Sequence, residues 1–218
     1  MTILLEAAVE SLDDALAAVD GGADRLELCA NLDIGGTTPS ESLISEVVDR
    51  VAVPVFVMIR PRGGSFVYST TELEDMKRDI DRARDLDADG LVFGVLNSSG
   101  RIDTIRTQSL VDAAGDLPVT FHRAFDRTPD RFHALEMLID LGVGRVLTSG
   151  GAPTAIEGLS ELRDLVDAAD ERIAIVAGGG VRFNNVQEIV EETGVREVHA
   201  RCELDADRIR AIRNALSE

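Results

Sequence analysis

The chain has 218 residues, 44% of them hydrophobic, enough for one large core. With 40 acidic against 22 basic residues its formal net charge is −18, and nucleic acid and anionic membranes, which need basic surface, are poor partners. No run approaches the ~20 apolar residues that span a bilayer, and two cysteines are too few for a disulfide framework.

Lys77 is the sole lysine. Acidic charge of this kind, spread over helix faces, suits a salt-rich cytosol, because at ~1 M salt the Debye length falls to about 3 Å and self-repulsion is screened. The first residues carry no basic region or cleavage site and read as a strand, so the expected location is cytoplasmic.

In chain order, an apolar strand over 3–9 contains Glu6, and Ser11 caps a helix ended by Gly21 and Gly22. A second strand covers 25–29. Pro39 opens a helix with Leu43, Ile44, Val47 and Val51 on one face. The third strand, 53–59, is β-branched and nearly all apolar, as in a sheet covered on both sides. Thr71 begins an amphipathic helix facing inward with Leu73, Met76, Ile80 and Ala83. Strands then follow at 90–96, 118–122, 145–148, 173–177 and 197–200. The helices between and after them are expected at 103–114, 129–141, 154–169, 184–192 and 205–216.

Glycines at 22, 142 and 194 each precede a strand by three residues, a repeated helix-to-strand turn. Eight such units predict an α/β chain in which residues 1–218 form a single (β/α)8 TIM-type barrel. The rival, an open doubly wound sheet, lacks a GxGxxG after its first strand.

In such barrels the strand C-terminal ends converge on one functional rim. Six polar clusters fall there. Gly178, Gly179 and Gly180, followed by Arg182, and Ser149 with its two glycines suit an anion, or simply permit tight turns. Arg60 and Arg62 flank Pro61 and present two guanidiniums to a carboxylate or phosphate, or else pair with Glu6 or Glu27 across the rim. His122, Arg123 and Asp126 close the fifth strand, and His199 lies on the eighth. Glu27, His122 and Asp126 are the candidate acid–base groups, with core packing as the plainer reading of either histidine; His133 falls on an outer helix. Cys29 is a candidate Cu(I) ligand or a small core residue, and Cys202 is placed to approach it from the eighth strand. No lysine stands at a strand end, which excludes Schiff-base chemistry.

The stretches GADRLELCANLDIGGTTPS (22–40), VMIRPRGGSFVYS (57–69), LVFGVL (91–96), VTFHRAFD (119–126), RVLTSG (145–150), AGGGVR (177–182) and EVHA (197–200) together resemble the CutC family of copper homeostasis proteins. The resemblance runs through nearly the whole chain. It implies a TIM-type barrel, a cytoplasmic homo-oligomer (commonly a dimer) and a role in copper handling with Cu(I) binding. Where that family's first strand ends Leu-Glu-Val-Cys, this chain reads Leu5-Glu6-Ala7-Ala8, so one of two expected copper cysteines is missing and Cys29 matches the other. The family's His-Ser-Ser segment reads His199-Ala200-Arg201 here, followed directly by Cys202 without an extended loop. Two functions therefore stand at this stage: copper binding, or an enzyme acting on a small phosphorylated or carboxylated metabolite at the same rim.

Overall fold

The computed structural model describes residues 2–217. Eight parallel strands close into a barrel in sequence order, the last pairing with the first. They are β1 (Leu4–Val9), β2 (Arg25–Leu28), β3 (Val55–Met58), β4 (Gly90–Phe93), β5 (Val119–Phe121), β6 (Arg145–Thr148), β7 (Ala174–Gly178) and β8 (Glu197–Arg201). The helices α1 (Leu12–Asp20), α2 (Glu41–Val48), α3 (Thr70–Asp85), α4 (Thr104–Ala114), α5 (Arg131–Asp140), α6 (Leu159–Ala169), α7 (Val186–Thr193) and α8 (Ala206–Ala215) alternate with them. The predicted barrel is thus the observed one.

Local chemistry explains most boundaries. The Ser11 and Ser69 hydroxyls accept from the amides of Asp14 and Glu72, and Glu72 returns the bond to Ser69, completing a capping box. Gly22, Gly142 and Gly194 have φ of 91°, 75° and 72°, the left-handed turn that stops a helix ahead of the next strand. Pro39 does not begin α2: the Ser40 hydroxyl accepts from Leu43 N–H, so the side-chain cap sets the start at Glu41. The expected helix from 154 opens instead as a 3-10 turn, Ala155–Gly158, and becomes α-helical at Leu159. The Gly158 backbone there lies so close to the Ser149 carbonyl that a Cβ would sit 1.9 Å from its oxygen.

Strand parity divides the side chains. Leu5, Ala7, Val9, Leu26, Leu28, Val57 and Phe93 point outward and pack with the helices in the main apolar core. The alternate positions point into the barrel, and there they are polar: Glu6 on β1, Arg25 and Glu27 on β2, and Glu197 and His199 on β8. Phe56, Met58, Val92 and Cys29 form a smaller apolar cluster among them. Phe56 fills the barrel floor because Gly90, directly opposite on β4, has no side chain.

A Cβ at Gly90 would lie 2.6 Å from the Phe56 ring. Gly90→Ala is therefore expected to overpack the floor and destabilise by about 1–3 kcal/mol. Gly144→Ala, whose Cβ would meet nothing nearer than 3.6 Å, should stay within about 0.5 kcal/mol of wild type. Urea unfolding midpoints of the two variants check the contrast.

Candidate functional site at the barrel mouth

The floor of the site is ionic. The Arg25 guanidinium donates to Glu6 on one side and to Glu197 on the other, the latter at 2.5 Å. It lies 4.9 Å from the centre of the Phe56 ring, and Arg145 lies 5.1 Å from the same centre. Glu6 also meets His199 Nδ1 at 2.8 Å, and His199 Nε2 lies 3.7 Å from Glu27 on the next layer up. One imidazole is thus held between two buried carboxylates.

The two carboxylates titrate in opposite directions. Burial would raise the pKa of Glu6, but the His199 hydrogen bond and the Arg25 charge outweigh it and hold the group down to about 2. Glu27 is equally buried and lacks a direct guanidinium contact, so burial dominates and its pKa rises, opposed chiefly by the His199 charge. Burial works against protonated His199 too, yet Glu27 and Glu6 together raise its pKa. The Cys29 thiol donates to Glu27 at 3.5 Å, and burial, then that carboxylate, keep it protonated well above the ordinary thiol range.

Above this floor the barrel opens into a cleft of about 1300 Å³. Glu27, Arg60, His122, Arg123, Asp126 and His199 all border it, together with Gly179 and Gly180. Residues drawn from strands β2 to β8 therefore meet at one mouth.

His122 is buried and its ring packs on Gly94, where a Cβ would be 2.5 Å from Nδ1. Nδ1 accepts from the Ala124 amide, so the proton of the neutral ring resides on Nε2. Burial, then the nearby Arg60 charge, lower its pKa to about 3. His122 is consequently a fixed neutral hydrogen-bond donor at physiological pH.

Arg60 does not pair with Glu6 or Glu27, the partners its place on the rim suggests. It donates to the carbonyls of Ile34, Gly35, Gly36 and Gly64, stitching the loop after β2 to its own, while Glu6 is occupied by Arg25. Arg62 turns outward to Glu72 of α3 and packs on Tyr68, leaving the mouth. Asp126 accepts from Arg123 Nε, the Thr148 and Ser149 hydroxyls and the amides of Ser149 and Gly151. With Ser149, which also accepts from Arg123, it sits behind that guanidinium and aims it. Gly178 is buried against Leu147, and Gly179, at φ 103°, lets the Arg123 guanidinium lie against its backbone.

The two thiols occupy different layers. Cys29 faces the barrel interior beside Met58, whereas Cys202 packs outward in the main core, its amide bonded to the Ala8 carbonyl. Of the floor residues, Glu6 was expected only as a partner of the rim arginines, and Arg25 and Glu197 were not among the sequence candidates; nor was Gly94, beneath His122. Their signal was polar residues recurring every second position on strands whose other face is apolar.

Comparisons with known proteins fit this geometry. The family model described as the CutC family matches residues 3–203. The "Copper homeostasis protein cutC homolog" of Homo sapiens is 48% identical over 97% of this chain and 78% of its own length. The "family protein CutC" of Mesorhizobium japonicum is 51% identical over 90% of this chain and 76% of its own. A crystal structure of CutC from Streptococcus agalactiae superposes with a TM-score of 0.88 at 42% identity, covering 93% of this chain and all of that one. Thiamine phosphate pyrophosphorylase of Pyrococcus furiosus, at 16% identity and a TM-score of 0.68, shares the barrel alone.

Two titration outcomes follow. Because the folded pKa of Glu6 lies below its ordinary 4.5, the stability it supplies is present above pH 4.5 and lost as pH falls toward 2. Glu6→Gln, which removes one of the two carboxylate partners of Arg25 and leaves Glu197, is expected to cost about 3 kcal/mol at pH 7, and the gap to wild type in urea unfolding should narrow below pH 4.5. Separately, the His122 ring proton resonances should hold their neutral positions down to about pH 4, since its folded pKa is about 3. A His122 midpoint near 6.5 would contradict the buried, Nε2-protonated ring.

Proposed function

The chain belongs to the CutC family, and on that premise we propose that it serves copper homeostasis by holding one Cu(I) ion at the foot of the barrel mouth on the thiolate of Cys29. The observation that carries this reading is the placement of Cys29. Its thiol borders the same Glu27 carboxylate oxygen that faces His199 Nε2, and it shares an interior cluster with Met58. Thiolate, thioether and imidazole are the soft and borderline donors that Cu(I) prefers.

Glu6, Glu27 and His199 also bring three donor atoms within 4.8 Å of one another. That set is mostly hard oxygen, and Glu6 is already committed to Arg25 and His199, so a divalent ion there must displace a guanidinium. The Cys29 side has no such competitor. Cys202, buried outward, is not a ligand in this reading.

Cu(I) replaces the thiol proton, so its affinity should rise with pH. Both cysteines are free, which fits a reducing compartment, and the reading places the chain in the cytoplasm. Among the described residues no helix is long and apolar enough to cross a membrane.

Competition against a chromophoric Cu(I) chelator, under anaerobic reducing conditions, tests the site. Wild type should bind one Cu(I) per chain, and Cys29→Ser should weaken it by about 100-fold or more, while Cys202→Ser binds as wild type. Equal loss in both variants, or no difference between wild type and Cys29→Ser, removes the one-thiolate site.

A further inference from the structure

Apart from Met58 at the end of β3, the side of the mouth formed by β3, β5 and β7 has no part in the copper reading. Six arginines border the cleft against three carboxylates, in a chain whose overall charge is −18. Of the six, Arg60, Arg127, Arg182 and Arg201 have no carboxylate within 4 Å among the described residues. An acidic protein has gathered positive charge around this cleft, and low-dielectric walls strengthen the field of such a cluster.

Two buried donors there lack partners. His122 Nε2 and Arg60 Nε are both inaccessible and unbonded among the described residues. Both side chains pack on Phe66, the guanidinium 4.8 Å and the imidazole 4.9 Å from its ring centre, so they belong to one wall. A buried donor left unpaired costs about 1–3 kcal/mol, so an acceptor that reaches either of these from the cleft recovers that cost.

We propose that this half of the mouth binds a small organic anion, its carboxylate or phosphate on Arg123 and an uncharged carbonyl or hydroxyl oxygen of the same molecule on His122 Nε2–H. Arg123 is fit for the charged end. Asp126 and Ser149 fix its guanidinium from behind, and it remains 39% exposed to the cleft. His122 is fit for the uncharged end, because a ring that stays neutral and has Nδ1 occupied can only donate through Nε2. The cleft, at about 1300 Å³, is far larger than an inorganic ion needs and matches a metabolite.

Binding is measured by calorimetry, and by ¹⁵N–¹H spectra of the His122 ring, on metal-free protein. The probes are pyruvate, dihydroxyacetone phosphate and inorganic phosphate. At least one organic anion should saturate a single site per chain and shift the His122 Nε2–H resonance, and inorganic phosphate should bind about tenfold more weakly, lacking the oxygen for His122. The organic anion that binds identifies the charged group as carboxylate or phosphate. His122→Phe and Arg123→Met should each weaken it by about tenfold or more. Arg163→Ala, on the exposed face of α6, should not. Should His122→Phe fail to fold, Arg123→Met and the wild-type His122 shift carry the test. Cys29→Ser should bind the anion as wild type does, so that failure of the copper site and failure of this one are told apart. Saturation by neither organic anion, equal affinity for inorganic phosphate, or affinity undiminished in the folded variants overturns the proposal.

Discussion

Arg25 is the contact on which the interior depends. A barrel of this size is ordinarily filled by layers of branched apolar side chains, yet here a guanidinium occupies the lower layer, bound by Glu6 from β1 and Glu197 from β8 and resting on Phe56 of β3. It therefore ties the closing seam of the barrel, β1 to β8, to β2 and β3. Burying such a lattice is expensive in desolvation and is tolerable only when each charge is met. Glu6 meets both Arg25 and His199, one on each carboxylate oxygen, so neither oxygen is left without a partner.

The layer above inherits its properties from that arrangement. Because Glu6 takes Nδ1 of His199, the other ring nitrogen, Nε2, faces Glu27. Two carboxylates of the same chemical type thus acquire different protonation behaviour from their surroundings alone, Glu6 held down and Glu27 pushed up. Cys29 in turn is shaped by Glu27, whose negative charge opposes ionisation of the thiol.

Much of this was legible in the chain, for physical reasons that differ by residue. Helix stops at Gly22, Gly142 and Gly194 and the cap at Ser11 are local: each needs only its neighbours along the chain. The meeting of Glu27, His122 and Gly179 at one mouth follows from closure of eight parallel strands, and closure follows from the alternation. What resisted was partner choice among side chains. Arg60 sits beside carboxylates on the rim, yet carbonyls of the loop after β2 satisfy it, and nothing in the sequence ranks a carbonyl above Glu27. Arg62 and Cys202 lie at strand ends but point to the helix layer, one toward Glu72 and the other into the outer core. A shift of one position reverses the face of a strand residue. Parity counted from Arg25, Glu27 and Cys29, and from Glu197, His199 and Arg201, would have separated the two cysteines before any coordinates.

The chain's charge of −18 and the arginines around its mouth oppose each other, but they act over different distances. In dilute buffer the field of a chain at −18 extends for tens of ångströms and repels an anion before it reaches the cleft. At ~1 M salt the Debye length is about 3 Å, so the exterior ceases to matter beyond contact range while a guanidinium touching its ligand keeps most of its effect. Arg123 works at that contact range, with Asp126 and Ser149 holding it in place through part-buried hydrogen bonds of 2.7 Å that salt screens less than charges farther apart. The lysine-poor acidic surface and an arginine-lined cleft are therefore compatible in one protein: salt dissolves the long-range conflict and leaves the local recognition intact.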